Sequence, residues 1–415
     1  MTKVVIAGGG PAGLMAAIRA AEKNANVTIL EKMEKPARKL RITGKGRCNI
    51  TNTKPEDDFL ENIFPDARFF RPSFGNFSNL DLIDFLNNAG LTTVEERGCR
   101  VFPASQKAWD VAEVLLKKVR ERCRIECKAK VTGLDIENRT VKTLYYEQYG
   151  QELKISGDAF IIATGGISYP LTGSTGDGYE WAQQTGHKIV PLRPSLTGLE
   201  LNGYSEIKNC MLKNVELSLL VDNRTVKKEF GEMNFTKYGI DGPIVLKVSR
   251  NAVDAVLANK KVEILINLKP ALSEEQLVKR IDRDTVSCSD MRFFDMLKNL
   301  LPAPLIDLFL KKTAIPAKKQ LKDLNSLEIE KLITNLVSLK FAVKGYRPFS
   351  EAIVTAGGID LKDVNRKTMR SKHIDNLFFA GEILDLDANT GGYNLQIAFS
   401  TGYLAGEKAA ALHSV

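Results

Sequence analysis

Gly8, Gly10 and Gly13 stand in a G-x-G-x-x-G spacing between an apolar run, Lys3 to Ala7, that reads as a strand and an alanine-rich run, Pro11 to Lys23, that reads as a helix. In that setting each glycine has a task. The first permits a tight turn, the second lets the backbone approach a pyrophosphate, and the third lets helix and strand pack closely. The helix N-terminus adds N–H groups and partial positive charge. Asn26 to Leu30 reads as the next strand, and Glu31 stands at its end, where a carboxylate can accept hydrogen bonds from adenosine ribose hydroxyls. A basic run follows, Lys35, Arg38, Lys39, Arg41, Lys45 and Arg47, suited to compensating a pyrophosphate or to forming a solvated face.

These features fit FAD and NAD alike, because both carry an adenosine diphosphate half. Later motifs favour FAD. Ile161-Ile162-Ala163-Thr164-Gly165-Gly166 is an apolar strand ending in an A-T-G turn that can return the chain beside a dinucleotide. Leu377-Phe378-Phe379-Ala380-Gly381-Glu382 is another strand, and its terminal acid can reach flavin ribityl hydroxyls. Gly391 and Gly392 open a final helix, Tyr393 to about Leu412, whose N–H groups and dipole would face the flavin pyrimidine edge, where negative charge gathers as the ring takes a hydride. Ala398, Ser400, Gly402, Ala405 and Gly406 allow that helix close packing. Neither Gly165-Gly166 nor Gly357-Gly358 completes a second fingerprint, so a pyridine nucleotide is expected to dock only transiently.

The elements that must position these residues come from a chain of 415 residues, a length that suits two domains or one large domain with an insert. Hydrophobic residues at 44% and charged ones at 26% argue against extensive disorder. The first apolar run begins at Val4, which leaves no room ahead of it for a secretion signal. Runs such as Phe160 to Ala163 fall far short of the roughly 20 residues that span a bilayer. A cytoplasmic protein with no membrane partner is expected. Cys48, Cys99, Cys123, Cys127, Cys210 and Cys288 contain no C-x-x-C pair, and the histidines are His187, His373 and His413 alone, so no metal site is expected. Cys123 and Cys127 read as ordinary thiols in a helix-to-strand passage. The net charge of +9 suits anionic small molecules or a nucleic acid, yet no RNA-binding motif or aromatic-rich basic stretch accompanies it.

Ala129 to Ile136, Thr140 to Tyr146 and Glu152 to Ile155 alternate like a β-meander. After Pro191 and Pro194, strand-like stretches such as Val215 to Val221 and Val262 to Ile266 mark a second unit, which turns helical over about 273–338. The expected division is a discontinuous FAD-binding domain, 1–190 with 346–415, and an insert, 191–345.

Over nearly the whole chain these motifs resemble the BaiN-type (YhiN-like) family of NAD(P)/FAD-dependent oxidoreductases. The matching segments are Gly8 to Gly13, Arg38-Lys39-Leu40, Gly44-Lys45-Gly46-Arg47-Cys48-Asn49-Ile50-Thr51-Asn52, Ala163-Thr164-Gly165-Gly166-Ile167-Ser168-Tyr169-Pro170, Gly381-Glu382-Ile383-Leu384-Asp385 and Gly391 to Gln396. The resemblance implies an α/β fold in which a Rossmann-like FAD/NAD(P)-binding domain is interrupted by a β-barrel with helices. It implies FAD contacts at Ala12, Glu31, Arg38, Lys39, Val131, Glu382, Asn394 and Leu395. Motifs and resemblance together extend the cofactor set to Gly8, Gly10, Gly13, Lys32, Arg47, Cys48, Asn49, Thr164, Gly165, Gly381, Asp385, Gly392 and Tyr393. One family member reduces C=C bonds of bile-acid enones.

The chain departs from the family where T-H-x-G-x-S-G-P is replaced by Thr236-Lys237-Tyr238-Gly239-Ile240-Asp241-Gly242-Pro243. Lys237, Tyr238 and Asp241 then stand as candidates for a proton donor. Cys48 has no partner for a dithiol relay and reads as a small buried residue near the flavin, with a catalytic or modifiable thiol as the alternative.

The leading expectation is an FAD-dependent oxidoreductase passing a hydride through flavin N5, reducing an activated C=C bond of an apolar small-molecule substrate with NAD(P)H as donor. An FAD-dependent RNA-binding or tRNA-modifying protein and an oxygen-using oxidase are the alternatives. The insert is expected to govern substrate access, with the Thr236 to Pro243 loop reaching the active site, and to leave FAD affinity to the first domain.

Overall fold

The computed structural model describes residues 1–203, 207 and 209–412, and His413 lies outside them. Its central feature follows from the apolar runs. Lys3–Ala7 (β1) is the middle strand of a parallel sheet whose spatial order is Leu377–Phe379, Ala159–Ile162, β1, Asn26–Glu31 (β2) and Cys123–Cys127. Ile6 lies opposite Ile161 on one side and Ile29 on the other. Val4 to Ala7 and Ala159 to Ile162 are buried throughout, as continuous apolar runs of inner parallel strands should be. The helix Pro11–Glu22 (α1) links β1 to β2, so the glycine turn falls at the carboxyl end of the middle strand, where open α/β sheets bind ligands.

The C-terminal helix, Tyr393–Ala410, crosses α1 at very short range. A Cβ at Gly402 would fall 2.3 Å from the Ala12 carbonyl oxygen, and one at Gly406 2.2 Å from that of Ala16. The small-residue face therefore has a definite partner, and an Arg19–Glu407 ion pair of 2.6 Å closes the crossing. Lys130–Glu137, Thr140–Gln148 and Gln151–Ser156 form the antiparallel meander.

The chain divides into two compact units, Met1–Arg193 with Ile353–Val415, and Pro194–Ala352. These limits lie beyond the expected 190/191 and 345/346. Ile189–Ser195 forms a two-stranded sheet with Val354–Ile359, which keeps the chain in the first unit as far as Arg193. Leu339–Tyr346 pairs within the second unit to its last residue, and the Arg347 N–H then donates to the Gly198 carbonyl.

The second unit is a closed barrel in the order Leu199–Leu201, Gly239–Asp241, Arg224–Phe235, Cys210–Val221, Val262–Asn267 and Leu339–Tyr346. Its helical stretch comprises Glu274–Ser287, Phe293–Leu300, Ile306–Thr313 and Ser326–Val337, which share an apolar core with the barrel. Cys123 and Cys127 are a correction: they are the first and last residues of one sheet strand rather than a passage into it. Among the described residues no helix is long and apolar enough to cross a membrane.

Candidate functional site

The glycine turn has the close approaches its spacing requires. Gly8, at φ +107°, would place a Cβ 2.5 Å from the Ala163 carbonyl oxygen, and Gly13 would place one 1.9 Å from that of Gly8. These two glycines weld β1, α1 and the A-T-G turn together. Gly10 differs, because nothing lies within 4 Å of its Cβ position. No side chain caps α1 there and its first turn holds no acid, so the orphan N–H groups of the helix start are left for a ligand. Open space and uncapped amides fit a pyrophosphate.

Glu31 closes the same corner. Its Oε2 accepts the Gly9 N–H at 2.8 Å and its Oε1 the Met33 N–H at 2.8 Å. Burial pushes its carboxyl above the ordinary value of 4.5, against the opposing pull of those N–H groups and of Lys32 and Arg38. Each oxygen keeps lone pairs beyond its one N–H donor, and a ribose diol could donate to them.

The basic residues after β2 divide in a way their spacing does not show. Lys32 pairs with Asp177 at 2.8 Å and bonds Thr175. Burial works against the Asp177 charge, yet Lys32 and Thr175 outweigh it and hold that carboxyl below its ordinary range. Arg41 pairs with Glu113 at 3.1 Å, and its guanidinium stacks 3.8 Å from the Trp109 ring centroid. Arg47 is taken up by Glu96, Gln106 and the face of Phe102. Lys39 pairs with Glu382 at 2.8 Å. Arg38 opens the short helix Arg38–Ile42, close enough for Glu31 to feel its charge. The pyrophosphate compensation read from this run is thus reduced by the protein's own acids.

At the other end of the chain, Gly381, at φ +81°, would set a Cβ 2.8 Å from that of Ala12, which brings the G-E turn against the start of α1. The Thr164 hydroxyl is buried with no hydrogen-bond partner among the described residues, and Gly165 beside it adopts φ +74°. Val131 and Asp385 are buried and Leu395 is half-buried. Gly392, at φ +99°, would place a Cβ 2.4 Å from the Thr51 carbonyl oxygen. Asn49, with its amide oriented to satisfy both neighbours, accepts from the Gly392 N–H at 3.2 Å and donates to the Thr51 carbonyl at 3.1 Å.

Some expected ligands have structural employment. The Tyr393 ring is buried edge-on against Phe59, 4.7 Å between centroids. The Asn394 amide bonds both the N–H and the carbonyl of Ala388 at 2.9 Å, which leaves its backbone rather than its side chain for a cofactor. Cys48 is wholly buried, and burial pushes its thiol up to about 12, so it stays protonated near neutral pH and is a poor nucleophile. Lys237, Tyr238 and Asp241 belong to the second unit, at a turn closed by the Thr236 N–H donating to the Gly239 carbonyl at 2.8 Å. The Arg347 guanidinium covers the Tyr238 ring at 3.7 Å.

Ser168 and Thr355, which the sequence does not single out as site residues, both converge on Glu382. Ser168 lies in a motif that could have flagged it, whereas nothing local distinguishes Thr355. Gly357 and Gly358 allow close backbone contact, with Cβ positions 2.3 Å from the Pro191 carbonyl oxygen and 2.5 Å from that of Ile383.

The 3-dehydro-bile acid delta(4,6)-reductase of Clostridium scindens is 30% identical over 99% of this chain and 99% of its own. The ribosomal RNA dihydrouridine synthase of Haemophilus influenzae is 28% identical over 96% of each. Among solved structures, a 3-ketosteroid-delta4-(5alpha)-dehydrogenase from Rhodococcus jostii shares the fold, with a TM-score of 0.54 at 15% identity over 99% of this chain and 97% of that one. The family model described as HI0933-like protein Rossmann domain matches residues 2–408, and the chain therefore belongs to that family, the one its glycine turn, A-T-G turn and G-E motif resemble.

Proposed function

We propose that this chain is an FAD-dependent oxidoreductase that reduces a C=C bond conjugated to a carbonyl. The observation that carries the cofactor is the uncapped start of α1 with open space at Gly10 and Glu31 beside it. Gly8 to Gly13 hold the pyrophosphate, Glu31 the ribose, and Gly392 and the helix start behind it the flavin edge. Bound FAD supplies hydride transfer, and the chain's own residues bind and orient it.

The reaction class is supported by the two relatives together. A 3-keto bile acid with Δ4,6 unsaturation and the uracil ring that becomes dihydrouridine present the same reacting group, a C=C bond polarised by a carbonyl. The leading substrate is an apolar cyclic enone with NAD(P)H as transient donor. A second reading, a uracil base within ribosomal RNA, is favoured by the Haemophilus influenzae relative and by the net charge of +9.

The test is anaerobic. The purified yellow protein is reduced with NADH or NADPH, then offered a 3-keto-4-ene steroid or a ribosomal RNA transcript while the flavin absorbance is followed. Recovery of oxidised flavin with a saturated product identifies the substrate class, and RNA binding should weaken steeply with added salt. A protein without FAD, or a reduced protein that only oxygen reoxidises, with peroxide released, rejects the proposal.

A further inference from the structure

Around Trp109 the first unit assembles a surface of cations and one open ring that no single stretch of the sequence contains. Trp109 is the second residue of the helix Ala108–Arg120 and is 50% exposed, and the Arg41 guanidinium lies 3.8 Å from its ring centroid. The turn Thr43–Gly46 follows Arg41, with Lys45 exposed on it, and leads to Arg47. Arg47 and Arg100 share the buried ring of Phe102, at 4.3 Å and 5.7 Å. Arg47 Nε donates to Gln106 at 2.6 Å, which sets the exposed Lys107 and the start of the Trp109 helix beside it.

Two of these cations are neutralised, Arg41 by Glu113 and Arg47 by Glu96. Lys45, Arg97 and Lys107 are exposed and have no ion pair among the described residues. Arg41 has a further need. Glu113 takes Nη2, but Nε and Nη1 are buried with no acceptor among the described residues, a costly state for N–H groups. The surface thus lacks an acceptor for Arg41, a flat ring for the open face of Trp109, and repeated negative charge for the free cations. A single nucleic-acid strand supplies all three, whereas a duplex hides its base faces and an acidic protein surface brings charge without rings.

We propose that this surface holds an unpaired stretch of RNA, with a base stacked on Trp109 and a neighbouring phosphate on Arg41. It rests on the RNA reading above and names the contact. Stacking draws the indole off the guanidinium and opens its N–H groups to the phosphate, while Lys45, Arg97 and Lys107 follow the backbone of the strand.

The test titrates the purified full chain with single-stranded oligouridylate and with polyphosphate, which has the charge but no bases. The chain has two tryptophans and Trp181 is buried, so acrylamide-accessible emission reports Trp109, and oligouridylate should protect it. Trp109→Ala should bind oligouridylate roughly tenfold more weakly, the scale of one lost base stack. Its polyphosphate affinity should not fall, and Trp109→Phe should stay near wild type. Lys107→Ala should weaken both ligands and lower the salt slope for oligouridylate by about 0.7. Flavin content equal to wild type shows that the variants have folded. Unchanged oligouridylate affinity in Trp109→Ala, or an equal loss for polyphosphate, would overturn this surface even where RNA is bound elsewhere. Wild-type protein that binds neither oligouridylate nor a ribosomal RNA transcript would overturn the RNA reading itself.

Discussion

At the scale of single residues, burial decides what the candidate groups can do. Glu31 has its carboxyl raised above 4.5 by burial, so the free protein takes up its proton at a higher pH than an exposed glutamate would. Ribose hydroxyls donating to the carboxylate favour the charged form. FAD binding therefore expels a proton wherever the free carboxyl is protonated, and affinity should be flat at high pH and fall as pH drops through the raised value. Glu31→Gln should flatten that dependence, and Glu31→Ala should weaken FAD by about 1 to 3 kcal/mol. Calorimetric titration across pH checks both, and an affinity indifferent to pH would remove Glu31 from the site. Cys48, with its thiol near 12, should resist iodoacetamide in the native protein and react after denaturation. Cys48→Ala should keep its turnover, and rapid native alkylation with loss of activity would restore the catalytic reading.

At the scale of elements, the crossing of α1 by the C-terminal helix links stability to the cofactor site. Gly to Ala inside a helix ordinarily gains up to about 1 kcal/mol. At Gly402 the added methyl would meet the Ala12 carbonyl oxygen at 2.3 Å, a backbone atom that cannot rotate away. Gly402→Ala should therefore destabilise by roughly 1 to 3 kcal/mol, the range for overpacking. Because Ala12 is the second residue of α1, FAD affinity should fall as well. Gly75, exposed in the helix Ala67–Asn76 with nothing within 4 Å of its Cβ position, is the control, and Gly75→Ala should be neutral or stabilising. Thermal unfolding of the two variants decides, and equal effects would refute the crossing argument.

At the scale of the molecule, every residue assigned to the cofactor lies in the first unit, which has its own apolar core. The chain leaves that unit after Arg193 and returns at Ile353, beside two strands, Ile189–Ser195 and Val354–Ile359, that pair with each other. A short Gly/Ser linker can bridge such neighbours. Replacing Pro194–Ala352 by that linker should leave a yellow protein that binds FAD within about an order of magnitude of the full chain and no longer reduces substrate. Absorbance and ultrafiltration measure the first property and turnover the second. A soluble version without flavin, or one with full turnover, would end this division of labour.

Much of this was legible locally. The glycine turn, the strand that precedes it, the meander and the terminal helix are written in spacings of a few residues, because turn geometry and the strand and helix periods are short-range constraints. The barrel was legible only through family resemblance: Cys210–Val221, Arg224–Phe235 and Gly239–Asp241 pair in sequence, but the pairings that close the barrel join residues 39 or more positions apart and leave no periodic trace. Tertiary structure alone decided which cations stay available to a ligand. Lys39 meets Glu382 across 343 residues and Lys32 meets Asp177 across 145, and neither spacing carries a signal. It also turned Tyr393 and the Asn394 amide toward the protein's own core and backbone, and gave Thr355 its place behind Glu382. Sequence determines which groups are present and which short turns they can make. Whether a charge is neutralised, or a hydroxyl placed behind a carboxylate, depends on distances that exist only once remote segments have packed.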